Sequence, residues 1–107
     1  MKNALGQMMR QAQQMQENLK RAQEEIARME ITGESGAGMV KVTLSGTHQA
    51  RKVEISPEVL KEEKEFLEDL IAAAINDAAQ KLDAATRERM ASVTGGMQLP
   101  PGLNLGL

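Results

Sequence analysis

Residues 5–29, LGQMMRQAQQMQENLKRAQEEIARM, decide the fold, because they place apolar side chains at alternating intervals of three and four residues. This is the a/d pattern of a helix that packs along one side. The apolar stripe consists of Leu5, Met8, Ala12, Met15, Leu19, Ala22, Ile26 and Met29. At roughly 1.5 Å per residue the helix is close to 40 Å long, more than a domain of this size can cover. We therefore expect part of the helix to project and to pair with a second copy.

The composition also favours an assembly of two copies. The chain has 107 residues, enough for one domain, and Phe66 is its single aromatic residue. Its core therefore lacks the large apolar area that each aromatic side chain contributes. A domain of this size buries only about two thirds of the surface of its unfolded chain. Contact with a second subunit would supply the missing area, so we expect a homodimer.

Several classes of protein are disfavoured by what the sequence lacks. It contains no cysteine, which excludes disulfides, thiol catalysis and zinc sites built on thiolates. No segment resembles a signal peptide or a membrane span, so a cytoplasmic protein without a membrane partner is expected. The only histidine, His48, lies beside a turn without possible partners for a metal site or a catalytic triad. We predict no metal, no cofactor and no small-molecule substrate.

After Met29 the apolar period changes to two, which is typical of strands with one buried face. Three such runs follow, at residues 29–34, 40–45 and 52–55. The segments between them are turns rich in glycine and serine, so a three-stranded antiparallel meander is predicted. Gly36-Ala37-Gly38 is interpreted as a hairpin turn rather than a phosphate loop, because a strand follows it and not a helix. Such a sheet has two exposed edges, and a second subunit could cover one of them.

A second helix is predicted from Ser56-Pro57-Glu58, which combines a capping residue, proline at the first helical position and an acid in the first turn. The charged stretch 61–65 predicts a break. From Phe66 the helical period runs on until Thr94-Gly95-Gly96 stops it. The chain is thus interpreted as one α+β domain over residues 1–94, in the order α-β-β-β-α, followed by a Pro/Gly-rich tail over residues 95–107.

The distribution of charge is uneven. The formal net charge is −2, but residues 57–69 alone carry six acids and two lysines, whereas residues 1–30 carry five basic and four acidic side chains. In a dimer the slightly basic helices could face one groove and bind the phosphates of a duplex. A solvated helix face would carry the same charges, so the residues alone leave both interpretations open.

Two other functions are considered from the same residues. A dimeric adaptor or scaffold without direct DNA binding would offer the apolar stripe and the acidic segment 57–69 to protein partners. A small hydrolase would depend on acids such as Glu65 or Asp69. These acids lack the alternating ligand spacing and the glycine of a calcium loop, and they complement the dipole of a helix start. We therefore predict no enzymatic activity.

Three segments carry a family resemblance: GESGAGMVKVTLSG at residues 33–46, VEISP at 53–57 and LEDLIAAAINDA at 67–78. Together with the Gln/Met-rich first helix and GGMQLPPG at 95–102, they resemble the YbaB/EbfC family of bacterial nucleoid-associated proteins. The resemblance implies an α-β-β-β-α homodimer with projecting helices that binds double-stranded DNA and alters its conformation. It also implies a place in the cytoplasmic nucleoid, a part in nucleoid organisation and gene regulation, and no catalysis.

In this family the projecting helices are the elements that contact DNA. By charge and placement, the resemblance points to Arg10, Lys20, Arg21 and Arg28 in the first helix and to Lys81, Arg87 and Arg89 in the last. The dimer interface is expected at Leu5, Met8, Met15 and Leu19 of the stripe and at Val40, Val42 and Leu44 of the second strand.

Overall fold

The structure is a computed structural model that describes residues 2–93. Its elements are helix α1 (Lys2–Ala27), strands β1 (Glu30–Ser35), β2 (Val40–Ser45) and β3 (Ala50–Ile55), a 3-10 helix (Pro57–Lys61) and helix α2 (Lys64–Val93). Two long helices and a three-stranded antiparallel sheet confirm the predicted order α-β-β-β-α. The predicted stop at Thr94-Gly95-Gly96 and the tail 95–107 lie outside the described residues.

The sheet has the strand order β1-β2-β3, and α2 lies across β1 and β2 on one face. The period of two directs Val40, Val42 and Leu44 to that face, where they pack against Ala74 and Ala78 of α2. Small alanine side chains let the helix approach the sheet closely. This contact is the larger of two hydrophobic clusters in the described residues.

The burial of β2 corrects one expectation. Val40 and Val42 are fully buried and Leu44 is 7% exposed, all within the single chain. These three residues, expected above at a dimer interface, belong instead to the subunit core, because α2 of the same chain already covers them.

Strand β3 differs from its prediction as a half-buried strand. Val53 pairs with Val42 and therefore lies on the same face of the sheet, but its side chain is 50% exposed. The reason is that α2 covers β1 and β2 and leaves β3 bare. Within residues 2–93, Val53 on the apolar side of β3 thus remains half exposed, whereas Ile55 at the end of the strand is partly buried.

Within residues 2–93, only the C-terminal end of α1 packs against the body of the subunit. Ala22 and Ile26 are buried against Met90 of α2, with Leu19 and Val93 partly buried beside them. The preceding part of α1 extends beyond this contact and is mostly exposed. The described part of the chain is 73 Å long. The predicted projection of the first helix is confirmed, and we call residues 3–17, which are mostly exposed, the arm.

The predicted helix from Ser56 is divided into two pieces. Ser56 accepts the backbone N–H of Val59 through its carbonyl, at 3.1 Å, but its side chain makes no capping hydrogen bond. The resulting 3-10 helix ends at Lys61 and α2 begins at Lys64. This separation confirms the break predicted from the charged stretch 61–65.

Candidate nucleic-acid interface

Helix α1 presents a polar face opposite its apolar stripe. Arg10 and Arg21 are eleven residues apart, about three helical turns, and therefore lie on the same side of α1. Both are exposed, and no acidic side chain among residues 2–93 pairs with either. Glu17 and Glu24 occupy the same side of the helix, so this face alternates in charge along its length.

The first part of the arm is free of acids. Residues 1–16 contain Lys2 and Arg10, and the first acid of the chain is Glu17. The same segment is rich in glutamine, whose amide both donates and accepts hydrogen bonds. The glutamines are Gln7, Gln11, Gln13, Gln14 and Gln16, all exposed. Residues 3–16, which we call the arm tip, are therefore the most positive part of the projecting helix and the richest in side chains that form hydrogen bonds.

Lys20 and Arg28 lie near the junction of the arm with the body. Lys20 is exposed on α1, and Arg28 is exposed just after the helix ends, where its N–H bonds the carbonyl of Glu25 at 3.2 Å. Neither side chain pairs with an acid in the part of the chain that the structure covers. Both are available to an anionic partner.

Lys81 of α2 is engaged within the subunit. Its Nζ lies 2.9 Å from Oδ2 of Asp77, one helical turn earlier. The same oxygen accepts the backbone N–H of Glu34 on β1, also at 2.9 Å. The hydrogen bond from Lys81, and secondly that from Glu34, lower the pKa of Asp77, while the bond to Asp77 raises the pKa of Lys81.

Arg89 is engaged as well, whereas Arg87 is exposed. The Nε of Arg89 donates to Oε2 of Glu25 at 2.7 Å, and its Nη2 pairs with the same oxygen. Two of the three basic candidates on α2 are thus tied to acids of their own chain. The unpaired candidates are Arg10, Lys20 and Arg21 on α1, Arg28 just after the end of α1, and Arg87 on α2.

The stripe residues expected at a dimer interface are open on the arm. Leu5 is 63% and Met8 is 65% exposed, while Met15 and Leu19 are partly covered as the helix nears the body. Leu19 also belongs to the cluster with Ala22 and Met90. The outer half of the stripe thus has no partner in the described part of its own subunit.

The residues considered for other chemistry are dispersed. Glu65 and Asp69 are exposed at the start of α2. His48 is a turn residue with φ of 66°, and its N–H bonds the carbonyl of Ser45 at 2.9 Å. Over residues 2–93 no three histidine, cysteine, aspartate or glutamate side chains come together as metal ligands would. None of the helices in that range is both long and apolar enough to cross a membrane.

Comparison with known proteins gives a family and a fold. Residues 1–97 match the family model of the YbaB/EbfC DNA-binding family. An uncharacterized protein from Helicobacter pylori, known from a crystal structure, superposes with a TM-score of 0.66 at 23% sequence identity. The match covers 85% of this chain and 96% of that one. At this identity the structural likeness concerns the fold alone.

Proposed function

Because the chain belongs to the YbaB/EbfC DNA-binding family, we propose that it acts as a homodimer that holds double-stranded DNA between its two α1 arms. In the cytoplasmic nucleoid the bound dimer alters the conformation of the duplex and thereby contributes to nucleoid organisation and gene regulation. It does so by binding alone, without a cofactor or a chemical step.

The acid-free arm tip is the observation that carries this proposal. A projecting helix with exposed Arg10, no acid before Glu17 and a row of glutamines presents positive charge and hydrogen-bond donors to a polyanion. Arginine contacts phosphates electrostatically, while glutamine amides reach phosphate oxygens or base edges. Binding of this kind has weak sequence preference and falls steeply as salt rises.

The single aromatic residue argues for a duplex rather than a single strand. Proteins that bind single strands rely on aromatic side chains that stack on successive bases. Phe66 is the only aromatic of the chain and lies on α2, close to the acids of residues 57–69 and far from the arm. Stacking therefore has no place in the proposed complex.

Strand β3 supports the homodimer. It is an edge strand, and its apolar side chain Val53 is half exposed because α2 does not reach it. The opposite edge strand β1 is tied to α2 through Glu34 and Asp77. A second copy that pairs along β3 would remove the open edge and bury Val53. The exposed stripe of the arm, from Leu5 to Met15, offers a second surface for the same partner.

Fluorescence anisotropy of a labelled duplex, titrated with protein across a salt series, tests the proposal. We expect binding whose affinity decreases linearly with salt on a logarithmic scale. A single strand of the same length and sequence should bind more weakly. Sedimentation equilibrium on the same samples should give twice the subunit mass of 11.7 kDa. Affinity that does not change with salt, or a wild-type protein that binds the duplex while it sediments as a monomer, contradicts the proposed complex.

A protein adaptor is the second candidate, favoured by two exposed apolar side chains in the acidic segment. Leu60 is 64% and Phe66 is 45% exposed, and both lie among the acids of residues 57–69. Exposed apolar side chains among acids suit a basic amphipathic partner. Nuclease-treated pull-downs with wild type and Phe66→Ser test this: one partner lost in the variant, with DNA binding absent in both, supports the adaptor.

A further inference from the structure

We propose that the ion pair between Glu25 and Arg89 fixes the direction in which the arm leaves the body, so that Arg89 is a positioning residue and not a DNA contact. This inference rests on the proposed function, because the direction of the arm matters only if the arm grips a ligand. It reassigns one basic residue that charge and placement alone put among the DNA contacts.

The contact has a fixed geometry. Both Nε and Nη2 of Arg89 point at Oε2 of Glu25, with the Nε bond at 2.7 Å. The side chains are 31% and 38% exposed, so the pair is partly shielded from water. Among residues 2–93 it is the one ion pair that joins α1 to another element, since the other two lie within β3 and within α2.

The rest of the junction between the helices has little directional preference. It consists of Ala22, Ile26 and Met90, with partly buried apolar neighbours. Alanine presents only a methyl group, and methionine adapts its three side-chain torsions to several packings. Apolar contacts of this kind hold the helices together but tolerate a change of angle. A charge-assisted hydrogen bond with two donors adds a directional preference that these apolar contacts lack.

The ion pair lies far from the arm tip, so a small change of angle at the junction displaces the tip by a large distance. From Glu25 to Gln7 is eighteen residues of helix, a distance of about 27 Å. A tilt of about 10° at the junction would move the arm tip by about 5 Å, more than the rise of about 3.4 Å between successive phosphates of one DNA strand. A small loss of angular definition would therefore separate the arm tip from the phosphates that it contacts.

Glu25→Gln separates positioning from direct contact, because the two roles predict opposite signs. The substitution removes a negative charge and frees Arg89, so if Arg89 were a phosphate contact the affinity for duplex DNA would rise. If the pair positions the arm, the affinity falls, by about fivefold if the lost contact is close to 1 kcal/mol. Glu24→Gln is the matched control. Glu24 is exposed and unpaired in the described residues, so its substitution changes the charge equally and should raise the affinity slightly.

The direction of the arm can be measured without DNA. The chain has no cysteine, so a pair of spin labels at Gln11→Cys and Lys41→Cys reports one distance from the arm to the outer face of the sheet. Dilution with unlabelled protein keeps that distance within one subunit. We expect a narrow distribution in wild type and in Glu24→Gln, and a broader one in Glu25→Gln. Combining Glu25→Arg with Arg89→Glu should restore both the narrow distribution and the DNA affinity that either single reversal loses.

The outcomes distinguish the two proposals. Tighter DNA binding by Glu25→Gln, or an unchanged distance distribution in that variant, overturns the positioning role. Failure of wild type to bind duplex DNA overturns the proposed function, while the distance measurement still reports whether the ion pair holds the arm.

Discussion

The backbone N–H of Glu34 donates a hydrogen bond to Oδ2 of Asp77 over 2.9 Å, across 43 residues of sequence. Glu34 lies in the edge strand β1 and Asp77 in α2, so the carboxylate occupies a donor that an edge strand would otherwise offer to another chain. One residue further along, the hydroxyl of Ser35 donates to the carbonyl of Leu70 at 2.6 Å. The helix therefore protects one edge of the sheet, and β3 remains the edge at which a second copy can add.

The Asp77 contact predicts a dependence of stability on acid pH. Its pKa is lowered, mainly by the hydrogen bond from Lys81 and next by the N–H of Glu34. A carboxylate with a lowered pKa stabilises the folded protein, fully so above the ordinary pKa of 3.8. This stabilisation is lost as the pH falls through the lowered pKa. Asp77→Asn should be less stable than wild type at pH 7, and the difference should shrink below pH 3.8. Urea unfolding at stepped pH measures it.

Asp83→Asn is the control for this measurement, since Asp83 is exposed on the same helix and makes no hydrogen bond or ion pair within residues 2–93. Its stability should follow wild type at every pH. A deficit of Asp77→Asn that stays constant from pH 7 to pH 3 would contradict the assignment to the ionised carboxylate.

Two glycines predict opposite effects of the same substitution. A Cβ on Gly33 would collide with the backbone N of Ala78 and lie 2.5 Å from the carbonyl oxygen of Ala74. Gly33→Ala should therefore push α2 off the sheet and destabilise the protein by about 1–3 kcal/mol or more. Gly6 is helical with nothing within 4 Å of such a Cβ, so Gly6→Ala should stabilise α1 by about 1 kcal/mol. Chemical denaturation of both variants gives the comparison, and equal effects would contradict the close approach at Gly33.

The β1–β2 turn predicts a stabilising change. Ala37 has φ of 56°, in the left-handed region that costs a non-glycine residue about 1–2 kcal/mol. Its neighbour Gly36, with φ of 58°, adopts the same conformation without that cost. Ala37→Gly should raise the melting temperature, and Ala37→Val should lower it. Thermal unfolding followed by circular dichroism measures both melting temperatures. A lower melting temperature for Ala37→Gly than for Ala37→Val would exclude a positive φ at this position.

Local sequence patterns predict the helices and strands, whereas contacts between residues far apart in the sequence could not be predicted. The change of apolar period at Met29 and the alternation of Val40, Val42 and Leu44 depend on neighbouring residues, so α1 and the strands could be located in advance. The ion pair of Glu25 with Arg89 joins residues 64 apart. The neighbouring sequence does not distinguish Arg89 from Arg87, nor Glu25 from Glu24. Only the packing of α1 on α2 brings the pair together.

The same limit explains the errors in the predicted interfaces. Alternation shows that one face of β2 is buried, but it does not show whether a helix of the same chain or a second subunit covers it. Helix α2 packs over β1 and β2, and it covers Val40 and Val42 but not Val53. Which strand remains bare depends on where the helix crosses the sheet, which the sequence pattern of β3 does not report.

The exposure of Val53 on β3 predicts how a charged side chain would affect dimerisation. If a second copy pairs along β3, Val53→Lys places two like charges in one apolar contact and should convert the dimer to monomer at micromolar concentration. Lys52→Ala, on the opposite face of the same strand, should leave the dimer intact. Sedimentation equilibrium measures both. A Val53→Lys protein that remains dimeric would move the interface to the arm, where Leu5→Lys is then the corresponding test.

Salt dependence of duplex binding predicts which basic side chains reach phosphates. Each phosphate contact contributes roughly −0.9 to the slope of log affinity against log salt. In a homodimer one substitution removes two side chains, so Arg10→Ala or Arg21→Ala should make the slope shallower by about 2 if both arms touch the duplex, and by about 1 if one does.

Lys81→Ala should leave the slope unchanged, because Lys81 is occupied by Asp77. Glu17→Gln, on the same face as Arg10, should raise the affinity. Slopes equal to wild type in both arginine variants would remove this face of α1 from the site, and a shallower slope in Lys81→Ala alone would move the site to α2.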